Sequence, residues 1–183
     1  MSYTVGTYWG QRKESRQACA SRISVFLQAL AAQDVALSRW YRLLASRKGP
    51  LREFPSDVDG LLPLLGVNRR DIGGEAMVEL GFDFSAWNGW NADPSASLSV
   101  GCGAFSPVVV NCGLVSFDAE ASPTLDLLQG ILRAAVTAFD PEDGVVVSDA
   151  TLSAHPSLSI VETPAVFRYK RGAGFSADCK AAR

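Results

Sequence analysis

Four features are scarce in this sequence, and each shortage excludes a class of protein. The 183 residues contain one histidine, four cysteines, and 17 lysines and arginines against 19 aspartates and glutamates, a formal net charge of -2. No apolar run reaches the roughly 18 residues that a membrane-spanning helix needs. Because no basic excess is available to neutralise phosphates, direct binding of nucleic acid is disfavoured as well. The chain is therefore expected to bind neither a membrane nor nucleic acid.

The single histidine and the scattered cysteines limit the available chemistry. His155 stands beside Pro156 in a weakly patterned segment, and the sequence has neither a G-x-S-x-G elbow nor a local cysteine-nucleophile signature. The cysteines, at positions 19, 102, 112 and 179, include no C-x-x-C pair and lack the spacing of a zinc site. We therefore predict no cofactor, no metal and no enzymatic activity.

Cys102 and Cys112 lie symmetrically about a turn predicted at residues 105–107, so they are expected to be neighbours on adjacent strands. Two arrangements remain open: two small apolar side chains that face one core, or a disulfide. A cytoplasmic location favours the first, because disulfides are rare there. Cytoplasm is itself the expectation, since the amino-terminal residues show no charged leader followed by an apolar segment.

Hydrophobic periodicity predicts a sheet and two long helices. Strands are indicated at residues 3–9, 78–85, 96–102, 108–114 and 145–147, and the middle three form an antiparallel meander. A helix is predicted at residues 14–33 from an apolar stripe, formed by Cys19, Ile23, Phe26, Leu27 and Leu30. A second helix is predicted at residues 122–139, with Ser122 and Pro123 at its start and Asp140 at its end.

The remaining segments complete the predicted fold. Ser56, followed by Asp57 and Asp59, reads as the capped start of a short helix that Pro63 shortens or kinks. Residues 38–44 fit either a short strand or a helical turn, and a loosely held tail is expected from about residue 170. A solvated basic face is expected near the first helix, formed by Arg12, Lys13, Arg16 and Arg22. The predicted fold is a single α+β domain, an antiparallel β-sheet with two long helices and one short helix packed on it.

The candidate site residues are acids and loop aromatics rather than a reaction centre. Glu79 and Asp83 are four positions apart on one predicted strand, about 13 Å, which is too far for a carboxylate pair. The loop that follows carries two of the four tryptophans, and tryptophan is a residue that anchors interfaces. We predict a binding surface between residues 57 and 93, formed by Asp57, Asp59, Glu79, Asp83, Trp87, Asn88 and Trp90.

Several short motifs, taken in their order along residues 3–149, resemble the immunity protein 52 family of bacterial polymorphic toxin systems. The order and spacing of these motifs carry the resemblance, because none is specific alone. They are Tyr8-Trp9-Gly10-Gln11-Arg12, Trp40-Tyr41, Asn68-Arg69-Arg70-Asp71, Leu80-Gly81-Phe82, Trp87-Asn88-Gly89, Gly101-Cys102-Gly103 and Asn111.

The resemblance implies a small cytoplasmic protein, made beside a toxin gene, that binds and neutralises the toxin and so protects the producing cell. It further implies that the partner is a nuclease resembling restriction endonucleases, delivered by type VI secretion. An inhibitor of this kind needs no catalytic constellation. Since a nuclease has a basic substrate cleft, the carboxylates predicted above are suited to meet it.

Two other functional classes remain open at this point. One is a small metal-assisted hydrolase or ligand-binding enzyme that uses surface carboxylates, which stabilisation by a metal in a thermal melt would favour. The other is a structural or chaperone-like subunit of a secretion apparatus. A stable homo-oligomer without one tight partner would favour that class.

Overall fold

The computed structural model describes residues 2–42, 52–67, 77–89, 92–155, 159 and 161–177. Within them the fold is α+β, as predicted, and consists of one antiparallel sheet and four helices. The strands are β1 (Tyr3–Trp9), β2 (Tyr41–Arg42), β3 (Gly66–Val67), β4 (Phe82–Trp87), β5 (Ala96–Cys102), β6 (Asn111–Phe117), β7 (Asp143–Ser148), β8 (Phe167–Lys170) and β9 (Gly174–Ala177). The helices are α1 (Arg16–Gln33), α2 (Val58–Leu61), α3 (Leu125–Phe139) and α4 (Asp149–Ala154).

The sheet order is β2-β4-β5-β6-β1-β7-β8-β9, and β3 shares the outer edge of β4 with β2. The antiparallel meander β4-β5-β6 and strand β1 are therefore confirmed, although β4 and β6 each begin later than predicted. Residues 38–44, left open between strand and helix, contain the short strand β2, and residues 43 and 44 lie outside the described part of the chain.

The two long helices cover one face of the sheet and enclose the core. Every residue of the predicted α1 stripe is buried, which confirms the amphipathic interpretation. Trp9 of β1 stacks on Phe139 of α3 with ring centroids 5.3 Å apart, and Phe26 of α1 meets the same ring edge-on at 5.1 Å. These aromatic contacts join both helices to the sheet.

The opposite face of the sheet is covered at one end. Val145 and Val147 of β7 form a small second core with Ala165. Tyr8 of β1 and Leu152 of α4 pack against this core. Nothing in the described residues places a helix over β4, β5 and β6 on this side.

Both predicted helix caps are displaced by one or two residues. The N-cap of α2 is Asp57 rather than Ser56, because the Asp57 carboxylate accepts a hydrogen bond from the Gly60 amide at 2.9 Å. The N-cap of α3 is Thr124 rather than Ser122, because its hydroxyl accepts from the Leu127 amide at 3.2 Å. As Pro63 predicted, α2 ends after one turn and continues as a 3-10 turn, Leu62–Leu64.

Strand β4 begins four residues later than the alternating pattern predicts. Residues Val78–Leu80 form a 3-10 turn, and Gly81 follows with a φ of 74°. The Glu79 carbonyl accepts hydrogen bonds from the Phe105 and Ser106 amides at 2.9 and 3.0 Å, which holds this turn against another loop. Glu79 and Asp83 therefore do not share one strand face.

The inward face of β6 is also opposite to the prediction. Its odd positions are buried, whereas Val108 and Val110 precede the strand and are exposed. The Asn111 side chain causes this change, since it is buried and binds the backbone of Gly10 and Ala104. Cys112 consequently lies on the face away from the core. Cys102 lies in the core, and both are free thiols, so they do not face one core as predicted.

Residues 167–177 form a hairpin. Strand β8 pairs with β7, and β9 pairs with β8 through a turn at residues 171–173. The sequence placed a loosely held tail from about residue 170, whereas the structure has an exposed edge strand over Gly174–Ala177. A hairpin of two four-residue strands gives little periodicity from which to predict it.

Candidate functional site

On the side of the sheet opposite α1 and α3, no helix among the described residues covers β4, β5 and β6, and these strands present a surface of mostly small side chains. We define the open sheet face as the side chains of β4, β5, β6 and β1 on the side opposite α1 and α3. Strand pairing places them in cross-strand rows. Its members are Asp83, Ser85, Trp87, Ser97, Ser99, Cys112, Leu114, Ser116, Thr4 and, where β1 meets the second core, Tyr8.

Hydroxyl groups dominate the middle of the open sheet face. Ser85 lies opposite Ser99, and in the next row Trp87 lies opposite Ser97. On the other side of Ser97, the same row continues with Ser116 of β6, whose hydroxyl is 3.2 Å from that of Thr4 on β1. Small hydroxylic side chains leave the backbone accessible and can donate or accept hydrogen bonds.

One end of this surface opens into an acidic cleft. The cleft has a volume of about 700 Å³ and lies between the end of β4 and the loop after β6. Trp87 forms one wall, and Asp93, Asp118 and Glu120 are among the residues that line the remainder, together with Ser95 and small residues of the adjoining loops. Ser95 donates a hydrogen bond of 2.5 Å to Asp118, which orients that carboxylate. An aromatic wall beside exposed carboxylates suits a partner's lysine or arginine side chain.

Trp87 is held in place from the strand edge. Its indole nitrogen donates to the Arg42 carbonyl at 3.3 Å, and its ring lies 6.4 Å from that of Tyr41 on β2. The ring is partly buried and lies at the junction of the open sheet face and the acidic cleft.

Asn88 supports the site from beneath and does not present a contact surface. It is 5% exposed, and its amide nitrogen donates to the carbonyls of Ala36 and Pro94 at 3.1 and 2.8 Å. Its oxygen accepts from the Ala96 amide at 2.7 Å. All of these bonds fix the loop that shapes the acidic cleft, so Asn88 is a positioning residue.

The other predicted site residues lie apart from this surface. Asp57 and Asp59 are exposed on α2, which packs against α1 on the helical side. Glu79 is half-buried in its 3-10 turn beside residues 105 and 106. Trp90 lies outside the described residues. Of the predicted residues that the structure describes, Asp83 and Trp87 lie on the open sheet face, about 13 Å apart along β4.

Asp93, Asp118 and Glu120 were missed as candidate site residues, although the sequence contains a signal for them. Between positions 71 and 132 there are eight aspartates and glutamates and not one lysine or arginine. The remaining residues hold all 17 bases and 11 acids. The net charge of -2 thus hides a strongly acidic segment, and this segment supplies β4, β5, β6 and the acidic cleft.

Burial changes the ionisation of two groups near the middle of the sheet. It raises the pKa of the Cys112 thiol, and it raises the pKa of the Tyr8 phenol, with a further contribution from neighbouring Cys112. Both groups therefore stay protonated at neutral pH. Cys112 is then a neutral side chain of the open sheet face rather than an activated nucleophile.

Among the residues that the structure describes, no group of three or more His, Cys, Asp or Glu side chains is arranged to hold a metal ion. None of the helices in these residues has the length and apolar character required to cross a membrane.

Comparison with known families identifies the chain. The sequence model described as Immunity protein 52 matches residues 1–167, which include strands β1 to β7 and all four helices. The chain belongs to the immunity protein 52 family. Membership points to a toxin-neutralising immunity function and to a toxin as partner. The match confirms the resemblance carried by the short motifs and extends it past residue 149. No curated protein gives a significant match.

Proposed function

We propose that this member of the immunity protein 52 family binds and neutralises a nuclease toxin in the cytoplasm of the producing cell. The toxin would resemble restriction endonucleases and be delivered by type VI secretion. We further propose that neutralisation occurs by binding alone, without catalysis by this chain. The family match over residues 1–167 is the observation that carries the proposal.

The charge of the candidate site supports a nuclease as the partner. A nuclease must present a positive cleft to its substrate, and an inhibitor with carboxylates in the complementary positions gains both rapid association and occlusion of that cleft. The acidic cleft offers three such carboxylates beside Trp87. Asp83 adds a fourth at the other end of β4.

The proposed contact residues revise the predicted set. Direct contacts would come from Asp83, Trp87 and Trp90, joined by the carboxylates of the acidic cleft. Asn88 would act through the loop it holds. Asp57, Asp59 and Glu79 would be outer contacts, reached only by a partner that extends around the edge of the sheet.

The first experiment is co-purification of the chain with the product of the neighbouring reading frame. A nuclease assay on that product, with and without the chain, follows. The proposal expects a stoichiometric complex in which nuclease activity is lost. If the two proteins do not associate, or if the product is active on a substrate other than nucleic acid, the proposed function is wrong.

A pair of double variants then tests the site. In Asp93→Asn/Glu120→Gln the acidic cleft loses two charges, and we expect about tenfold to hundredfold weaker inhibition, because charge pairs at an interface contribute on the order of 1 kcal/mol each. The matched control, Asp126→Asn/Asp140→Asn, removes two exposed charges at the two ends of α3. Asp140 pairs with Arg171 at 3.1 Å, but exposed ion pairs contribute little to stability, so the control should inhibit like the unmodified protein. Asparagine tolerates the left-handed backbone of Asp140. Equal inhibition by both variants would exclude the acidic cleft as a contact.

A further inference from the structure

Charge is unevenly distributed over the sheet as well as along the sequence. Strands β4, β5, β6 and β1 contain no lysine or arginine. Carboxylates stand at both ends of the open sheet face, Asp83 at one end and the acidic cleft at the other. Next to the face, on the β2 side, Arg39 lies over the Tyr41 ring and is paired with Glu53 at 2.5 Å. On the same side, the exposed Arg42 lines a second cleft together with Asp83 and Ser85. The four carboxylates of Asp83, Asp93, Asp118 and Glu120 outnumber this cation, so a partner that approaches this face meets a net negative charge.

The dimensions of the open sheet face define what it can bind by itself. Asp83 and Trp87 are about 13 Å apart along β4, and the three strand spacings from β4 to β1 add up to about 14 Å. This gives an area of roughly 200 Å², whereas a stable interface buries about 800 Å² on each partner. A stable contact must therefore continue from the open sheet face over Trp87 into the acidic cleft.

We propose that the open sheet face and the acidic cleft together form one docking surface, and that its occupant is a flat, positively charged protein surface. This inference rests on the proposed function and names the part of the toxin that is bound, its basic substrate-binding side. Trp87, at the junction of the two parts, is the anchor. The serines of the middle rows meet the partner through hydrogen bonds.

The chemistry of the surface selects this occupant. Buried hydroxyls require hydrogen-bond partners, and lysine and arginine side chains donate several hydrogen bonds each to hydroxyls and carboxylates. An apolar partner would leave the serine rows without partners. A second copy bound through the same face would place its Asp83 and acidic cleft against the same groups, since a two-fold interface is self-complementary, and like charges would repel.

Substitutions at Ser99 test the surface at its centre. Ser99 is exposed and lies between Ser85 and Leu114 in its row. With the product of the neighbouring reading frame as the probe, Ser99→Arg should weaken binding by about 30-fold or more, because it adds bulk and a repelled charge at the middle of an interface. The side chain introduced by Ser99→Glu has similar bulk and the opposite charge, so this variant should lose distinctly less affinity for the same probe than Ser99→Arg does.

Two controls separate docking from folding. Ala32→Arg adds the same side chain at an exposed position of α1, on the helical side, and should bind normally. Circular dichroism and a thermal melt should show that all three variants are folded. Ser99→Cys provides a second readout, because a maleimide should label position 99 rapidly in the free protein and slowly in the complex. The Ala32→Cys variant should label equally fast in both.

The outcomes distinguish this inference from the proposed function. If the unmodified chain inhibits the toxin but Ser99→Arg binds equally well, or position 99 stays reactive in the complex, the docking surface is elsewhere and the function stands. If Ser99→Glu loses as much affinity for the toxin as Ser99→Arg does, the partner surface is not basic. If the chain binds itself through this face, with position 99 protected in the absence of toxin, the inference is also wrong. If the unmodified chain does not bind the toxin, the proposed function itself has failed.

Discussion

At the scale of single residues, two buried asparagines have the same structural role. Asn88 follows β4, and Asn111 begins β6. Each side chain donates to two backbone carbonyls and accepts from one backbone amide, at distances between 2.7 and 3.1 Å. Each therefore satisfies three loop groups that strand pairing leaves open. Asn88 and Asn111 thus determine the shape of the loops next to the candidate site.

Replacing Asn88 with alanine is expected to lower the free energy of unfolding by about 2–4 kcal/mol, because three buried backbone groups lose their partner. Urea denaturation measures the change. Ser99→Ala, at an exposed strand position, should change the same quantity by less than about 0.5 kcal/mol. An Asn88→Ala protein as stable as the Ser99→Ala protein would show that water replaces the side chain without cost.

Tyr8 predicts a specific loss of stability at alkaline pH. Burial holds its pKa above the value of about 10 that an unfolded chain has, so the folded state favours the neutral phenol. The corresponding stabilisation is complete below pH 10 and is lost as the pH rises above it, because only the unfolded chain then releases the proton. The free energy of unfolding should therefore fall more between pH 9 and pH 11 in the unmodified protein than in Tyr8→Phe. Parallel curves for the two proteins would contradict this account.

At the scale of secondary-structure elements, the carboxyl end of α3 depends on arginines from elsewhere in the chain. Both terminal guanidinium nitrogens of Arg12 donate hydrogen bonds of 2.7 Å, one to the Phe139 carbonyl and one to that of Asp140. Arg22 donates to the Ala138 carbonyl at 3.0 Å and pairs with Glu14. The last carbonyls of a helix lack intrahelical partners and carry partial negative charge, so cations are favoured there. Arg12 and Arg22, two of the four bases that were expected to form a solvated face, thus stabilise the end of α3.

Arg12→Ala is expected to destabilise the fold by about 1–3 kcal/mol, since two charge-assisted hydrogen bonds are removed from a helix end. Arg12→Lys should recover part of this loss, because an ammonium group cannot reproduce the two parallel donors of the guanidinium. Thermal denaturation measures both. Arg16→Ala, which removes an exposed cation 5.5 Å from the Phe82 ring, serves as the control and should cost less than about 1 kcal/mol. The explanation fails if Arg16 proves the more important of the two.

The elements also show which parts of the fold the sequence pattern could predict. The α1 stripe and the alternation of β5 were confirmed because both patterns report which side of a local element is buried. The start of β4 and the inward face of β6 were not, because hydrogen bonds from distant residues determine them. Glu79 is held by the loop at residues 105 and 106, and Asn111 is held by Gly10 and Ala104.

At the scale of the whole molecule, the separation of charge is more informative than the net charge. A net charge of -2 alone predicts little electrostatic steering, whereas an acidic face of four carboxylates without a neighbouring base on its strands predicts a strong effect. This difference can be measured from the kinetics of association.

The association rate with the toxin should fall about tenfold or more when salt is raised from 50 to 500 mM, because exposed charges are screened beyond a few ångströms at high ionic strength. The dissociation rate should change much less. In Asp93→Asn/Glu120→Gln the slope of the association rate against ionic strength should be flatter. A rate that does not depend on salt would show that shape, rather than charge, guides the encounter.

The sequence by itself determined the class of fold, the positions of the long helices, the antiparallel meander and the family. The elements follow from local periodicity and helix-capping residues, and the family follows from short motifs and their order along the chain. The acidic run from position 71 to 132 was equally readable, and it locates Asp93, Asp118 and Glu120 in a segment without bases.

Only the tertiary structure decided which of these residues meet. Asp118 and Glu120 line a cleft with Trp87 although some 30 positions separate them, and Asp57 and Asp59 lie on the helical side although they are as close to Trp87 in sequence. Strand register and the packing of helices on one face produce this arrangement. Both are set by contacts between residues far apart in the chain, which a local pattern does not contain.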